Sequence, residues 1–140
     1  MWCSWHLERL GNYIANRNFD IVQSLAKGVK IIAGSFAPNG TSAVAATSNK
    51  GIGFSVARTN TGIFTITLED SYVDLLAANC SVALSSPDDK HVQFGAIDVV
   101  TAKTVVLNVW DGGSAALADI AANAANRIHF ILVLKNTTAV

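Results

Sequence analysis

The stretch Arg127-Ile128-His129-Phe130-Ile131-Leu132-Val133-Leu134-Lys135-Asn136 decides the fold. It alternates weakly at its start and then becomes continuously apolar, the pattern of a strand covered on both faces. Upstream of it lie two more apolar runs, Val92–Val100 and Val105–Trp110, joined by Thr101-Ala102-Lys103-Thr104. They read as a hairpin ended by Asp111-Gly112-Gly113-Ser114. The bridge from this hairpin to the closing run, Ala115–Asn126, is almost all Ala, Asn, Asp and Leu. Its alanines favour helix and its asparagines oppose it. It reads as a loop with at most one helical turn.

A clearer hairpin lies further upstream. Gly53-Phe54-Ser55-Val56-Ala57-Arg58 and Ile63-Phe64-Thr65-Ile66-Thr67-Leu68 alternate large apolar residues with small or polar ones. Thr59-Asn60-Thr61-Gly62 between them places Asn and Gly where positive φ costs least, so one face of this hairpin is buried. Gly28–Phe36 reads as a strand ended by Pro38-Asn39-Gly40, because proline cannot donate to a ladder and Asn-Gly favours a turn. Thr41–Lys50 is small and polar and suits an exposed loop. Glu69–Ala77 reads as one helical turn or an irregular link, with Tyr72, Leu75 and Leu76 inward at helical spacing. Cys80–Leu84 is a short strand, and Ser85–Lys90 is a charged turn containing Pro87. About seven short strands at intervals of roughly 8–15 residues, with turn signals between them, predict an antiparallel β-sandwich or a small β-barrel.

Residues 1–27 differ from the rest and form a segment apart from the β domain of residues 28–140. Trp2, Trp5, Leu7, Leu10, Tyr13 and Ile14 fall mostly three and four apart, as on one side of a short amphipathic helix, with a break near Gly11. This arm either latches onto a neighbouring subunit or covers an edge of the chain's own sheet. Two tryptophans in the first five residues favour the latch, because Trp is enriched at binding hot spots. Trp2, Trp5, Leu7, Leu10, Tyr13 and Ile14 are therefore the candidate subunit-interface residues.

Apolar residues make up 51% of the 140-residue chain and charged residues 14%, against a usual charged share of about 25%. Too little charge is present to coat an ordinary monomer, which points to a surface of Ser, Thr, Asn and Gly, partly buried against other chains. Ten basic residues balance ten acidic ones. No basic excess or stripe marks a nucleic-acid partner. No run reaches the roughly 18 consecutive apolar residues of a membrane-spanning helix. The opening Met1–Arg9 lacks the basic and apolar regions of a signal peptide. Cys3 and Cys80 lack CxxC spacing and read as reduced thiols.

The search for chemistry ends without a site. His6, His91 and His129 have no second ligand-type residue at metal spacing. The serines include no G-x-S-x-G elbow. The acidic pairs Glu69-Asp70 and Asp88-Asp89 read as solvated turns, since adjacent residues seldom face each other as an acid and base must. Gly51-Ile52-Gly53 opens a strand rather than a helix and is no phosphate cradle. Trp110-Asp111-Gly112-Gly113 puts an aromatic at a loop mouth, where it either stacks on a ligand or covers the core. The expectation is no enzyme, no catalytic residue, no cofactor and no metal.

Two segments carry a resemblance. Gly62-Ile63-Phe64-Thr65-Ile66-Thr67-Leu68-Glu69-Asp70-Ser71-Tyr72 is similar to a "GxYTVTLxDxY"-like run, and Arg127–Asn136 to an "NRINFTLVLKN"-like ending. Both are found in small structural proteins of tailed bacteriophages. Thr104–Asp111 and Ala115–Asn126 fit the same pattern, so the similarity spans about residues 28–136. His129 and Ile131 depart from it, standing where Asn and Thr are usual, and make this strand more apolar. The resemblance implies a non-enzymatic virion component. Head decoration ("cement") proteins of this kind are often small β-rich homotrimers seated on the major capsid protein. It thus implies self-association, as a trimer, and a place on the capsid surface after assembly in the host cytoplasm. A tail, adaptor or fibre component that binds another virion protein or a host surface receptor is the alternative.

Overall fold

The computed structural model describes residues 28–136. The candidate interface residues Trp2, Trp5, Leu7, Leu10, Tyr13 and Ile14, together with Cys3 and His6, lie outside them. The described chain is mainly β, with two antiparallel sheets and no α-helix. Its strands are β1 (Val29–Phe36), β2 (Phe54–Asn60), β3 (Ile63–Leu68), β4 (Asp74–Ala83), β5 (Lys90–Asp98), β6 (Thr104–Asp111), β7 (Ala116–Leu117) and β8 (Arg127–Lys135). One sheet runs β1-β8-β4. The other runs β2-β3-β6-β5, with β7 paired to the end of β6. The sheets stay open, so the architecture is sandwich-like rather than a closed barrel.

The last strand sits between the first and the fourth. Its register runs from Val29↔Lys135 to Phe36↔Ile128 on one side and from Asp74↔Lys135 to Ala83↔Arg127 on the other. Alternation along β8 sends Ile128, Phe130, Leu132 and Leu134 into the core. They meet Phe64, Ile66 and Leu68 of β3 and Val105, Leu107 and Val109 of β6. Two aromatic pairs cross between the sheets. Phe54 meets Phe130 edge-on at 4.9 Å between ring centroids, and Phe36 meets Phe64 at 5.2 Å with a 52° tilt. Such tilted or edge-on arrangements match the ring quadrupoles.

Both predicted hairpins form. In the first, Thr61-Gly62 makes the turn and the register slips between Arg58 and Asn60, so the four-residue link shortens to two with a bulge at Thr59. In the second, β5 and β6 pair around Val99–Lys103, with a further irregularity between Phe94 and Ile97.

Two expectations are corrected. Residues 69–73 form an irregular link, and from Asp74 the chain is strand rather than helix. Tyr72 is buried and Leu75 faces inward, but Leu76 sits at a bulge between Leu75 and Ala77 and is 51% exposed. Pairing of nine β4 residues with β8 outweighs the weak helix preference of Leu-Leu-Ala-Ala. The second concerns β8: among the described residues it is covered on one face, and Ile131 on the other is 41% exposed.

The bridge Ala115–Asn126 holds the two-residue β7 and is otherwise an irregular link without helix, with Ile120 buried. Backbone and side-chain bonds pin it along its length. The Ala118 amide donates to the Val109 carbonyl at 3.0 Å, and the Gly40 amide donates to the Ile120 carbonyl at 3.0 Å. The Asn126 side chain accepts from the Ser85 amide at 2.7 Å and donates to the Ala121 carbonyl at 3.0 Å. Backbone bonds to neighbouring strands and loops, with the Asn126 side chain, hold the link in place of a helix's own ladder.

Candidate functional site

The outer side chains of β8 are Arg127, His129, Ile131, Val133 and Lys135. Register places Ser35 and Ser81 beside His129, Ala33 and Asn79 beside Ile131, and Ile31 and Ala77 beside Val133. The face is therefore graded. Its half near Gly28 is mostly apolar, built on Ile31, Ala33, Ala77, Ile131 and Val133, with Lys135 and Asp74 at its margin. Its half near Arg127 is polar. Ile31 is 38% exposed and Ile131 41% exposed, so no described element covers the apolar half of this face. A shallow recess of about 250 Å³ at its middle is lined by Asn79, Cys80, Ser81, His129, Phe130 and Ile131. The continuous apolar run of β8 is thus not explained by burial on both faces within the described residues.

The opposite outer face has another character. Ser55, Ala57, Thr65, Thr67, Asn108 and Gln93 line it across β2, β3, β6 and β5. Its polar side chains are interspersed with Ala57, Ile63 and Val106, so apolar groups there stand among hydroxyls and amides rather than side by side as Ile31, Ile131 and Val133 do. Of the exposed large apolar residues away from the β1-β8-β4 face, Ile52 lies in the loop before β2, and Ile97 and Val100 lie at the end of β5 and just after it. Single exposures of that kind are ordinary.

The polar half is braced. Arg127 donates through Nε and Nη2 to Ser35 Oγ at 3.2 and 3.0 Å, and through Nη2 to the Ser48 carbonyl at 2.7 Å. Ser35 and Lys50 exchange two backbone bonds of 2.9 and 2.8 Å. The loop after β1 is thereby folded back along part of that strand's free edge, which limits edge-to-edge pairing there. Residues of this loop and of the bridge, among them Pro38, Ala45, Ala122 and Arg127, line an open recess of about 500 Å³.

Two clusters of charge outside this face serve the fold. Arg58 makes a two-point contact with Asp119, Nε donating to Oδ1 at 2.9 Å and Nη2 to Oδ2 at 2.7 Å, and the Gly62 amide donates to Oδ1 at 2.9 Å. The hydrogen bond from Arg58 holds the Asp119 carboxyl below its ordinary value of 3.8; partial burial opposes this, and the Gly62 amide adds to it. A depressed folded pKa means that the unfolded chain binds more protons as the pH falls, so this contribution is complete above 3.8 and lost below it. Asp119→Asn is expected to lower the denaturant midpoint at neutral pH. It is also expected to flatten the loss of stability that the native chain shows below about pH 4. Urea titrations at neutral and acid pH measure both. Lys90 lies 3.2 Å from Asp88 and 3.6 Å from Asp111 and ties the two ends of the second hairpin. The hydrogen bond to Lys90 holds Asp88 down, and the same bond raises Lys90.

The chemical candidates are not brought together. His91 is exposed on β5 opposite Trp110, and His129 is exposed on β8. Among the described residues no group of three His, Cys, Asp or Glu is placed to hold a metal. Cys80 is half-buried, donates weakly to the Val92 carbonyl at 3.7 Å, and has its thiol pKa pushed up by burial. A thiol held in that way is a poor nucleophile. Trp110 pairs with His91 and Leu117, and its indole nitrogen is covered and has no partner among the described residues. No helix among the described residues is long and apolar enough to cross a membrane.

Sequence reasoning missed the apolar outer face. Its signal was present in Ile131-Leu132-Val133-Leu134, where the outward positions are as apolar as the inward ones. No family model matches the chain, and no curated protein or solved structure matches it.

Proposed function

We propose that this chain is a non-enzymatic structural subunit of a tailed-bacteriophage particle, a head decoration protein that associates with itself, as a trimer, and with the major capsid protein. The observation that carries this reading is the apolar half-face of the β1-β8-β4 sheet. Exposed side chains on three adjacent strands, Ile31, Ile131 and Ala77, present one surface that water does not satisfy. Burying apolar area gains roughly 25 cal/mol per Å², and a contiguous exposed patch marks an interaction surface. The resemblance of Gly62–Tyr72 and Arg127–Asn136 to phage structural proteins supports the kind of particle. Ile131, one of the two departures from that pattern, lies on the exposed face, where an apolar side chain gains most from a neighbour.

The alternative use, in a tail, adaptor or fibre, is favoured by one feature. The recess of about 500 Å³ beside Pro38 and Ala122 opens at one end of the sandwich, where loops gather as in many binding domains. Image reconstruction of particles carrying the full chain separates the two readings. Density for the two-sheet domain on the head shell is the expected result. Density only at the tail would overturn the decoration reading.

A further inference from the structure

We infer that the recess beside Arg127, at the end of the sandwich, seats the carboxylate of an Asp or Glu side chain presented by a partner protein. This goes beyond the reading above, and it holds whether the chain sits on a head or on a tail.

Charge is the first argument. Arg58 and Arg127 are the two arginines among the described residues. Arg58 has Asp119 at 2.7 Å, whereas no Asp or Glu of the described residues lies within 4.0 Å of Arg127. Arg127 is only partly exposed, and a cation drawn out of water without an opposite charge is costly. Little else there supplies one. Residues 37–49 carry no charge, and the one acid of the bridge is Asp119, already engaged by Arg58. Lys50, whose backbone pairs with that of Ser35, adds a second positive charge close by.

Geometry is the second argument. Arg127 Nε and Nη2 are held by Ser35 Oγ at 3.2 and 3.0 Å, and Nη2 also by the Ser48 carbonyl at 2.7 Å. Both acceptors are neutral, and Nη1 has no partner among the described residues. The guanidinium is thus fixed before any ligand arrives, and little side-chain freedom is left to lose on binding. Pro38, Ala45, Ala122 and Ala124 wall the recess of about 500 Å³, with Asn39 and Asn123 among them. The methylene groups of an acidic side chain suit such walls, and its single negative charge matches the one guanidinium. A phosphate dianion would bring excess charge against apolar walls. The openness of the recess selects the source. A free small molecule would stay largely in water there, unlike one in an ordinary ligand pocket. A side chain carried by a partner is enclosed from its other side by the partner itself, and Arg is enriched at such interfaces.

The test uses the full nitrogen-15 chain and two blocked tripeptides, acetyl-Ala-Glu-Ala-amide and acetyl-Ala-Gln-Ala-amide, followed by nuclear magnetic resonance. The Glu peptide is expected to shift the Arg127 Nε–H and the Ser48 and Ala124 amide signals. Its midpoint should lie about tenfold below that of the Gln peptide, the margin of a charged over a neutral hydrogen bond. Equal midpoints, or shifts confined to residues away from the recess, would overturn the inference. So would acetate or inorganic phosphate reaching the same signals at lower concentration than the Glu peptide, since the site would then take a free anion. Arg127→Gln is expected to abolish the preference for Glu, but it also removes the brace on Ser35 and Ser48. Ala124→Glu and Ala124→Gln therefore decide the matter, because Ala124 is exposed and the two replacements are nearly equal in size. The Glu variant offers the guanidinium a carboxylate of its own and is expected to weaken Glu-peptide binding about tenfold more than the Gln variant does. Equal weakening by the two would overturn the inference. Every readout is taken on free protein, so a chain that passes here and is absent from particles would sink the virion reading alone.

Discussion

Phe64→Ala is expected to cost about 3–5 kcal/mol of folding stability, the range for removing a buried aromatic side chain. Phe64 is fully buried on β3, between β2 and β6, and its ring lies 5.2 Å from that of Phe36 across the gap between the sheets. Removing it vacates volume that strands paired on both sides cannot move to fill. Domains of this size have only about 5–15 kcal/mol in hand. The variant should therefore unfold at a much lower guanidinium concentration, with an unchanged slope in the linear extrapolation. A loss below about 1 kcal/mol would mean that the sheets do not pack through this ring.

Gly62→Ala is expected to cost about 3 kcal/mol, which is large for the addition of one methyl group. Gly62 has φ +64°, a left-handed conformation that a side chain disfavours by roughly 1 kcal/mol. A Cβ there would stand 2.8 Å from the Ala118 nitrogen and 2.8 Å from the Val109 oxygen, both backbone atoms. Relief requires the Ala118–Asp119 segment to back away, which strains the bond from the Gly62 amide to Asp119. Hydrogen bonds to charged groups contribute about 1.5–3 kcal/mol each. Gly40→Ala is the control. Its φ is +59°, but a Cβ would meet nothing closer than 4.0 Å, so only the conformational cost of about 1 kcal/mol is expected. Equal losses at the two glycines, read from the same denaturant titrations, would remove the steric part of the argument.

The strands that could be read from the residues were those whose alternation is chemical. Phe64, Ile66 and Leu68 alternate with Thr65 and Thr67, and the hairpin formed where the pattern placed it. β4 was read only in part, because Leu75-Leu76-Ala77-Ala78 has no alternation; its strand character comes from β8, which is remote in sequence, and from a bulge at Leu76. β8 was recognised as a strand but its two faces were not told apart. When outward and inward positions are equally apolar, periodicity carries no information on facing. That same ambiguity hid the candidate site. The outward Ile131 and Val133 look like core until the register sets them beside Ala33, Asn79 and Ala77. The expectation of a latch at Trp2, Trp5, Leu7, Leu10, Tyr13 and Ile14 falls outside the described residues.

The stability variants probe the fold. The claim on which the functional account depends is that the β1-β8-β4 face is turned toward protein. A reconstruction of heads bearing the full chain, at a resolution that separates the two sheets, tests it most directly. The account predicts one copy's Ile31 and Ile131 packed against neighbouring protein, with Thr67 of the opposite face toward solvent. Density in which Ile31 and Ile131 face solvent and Thr67 makes the contact would contradict it.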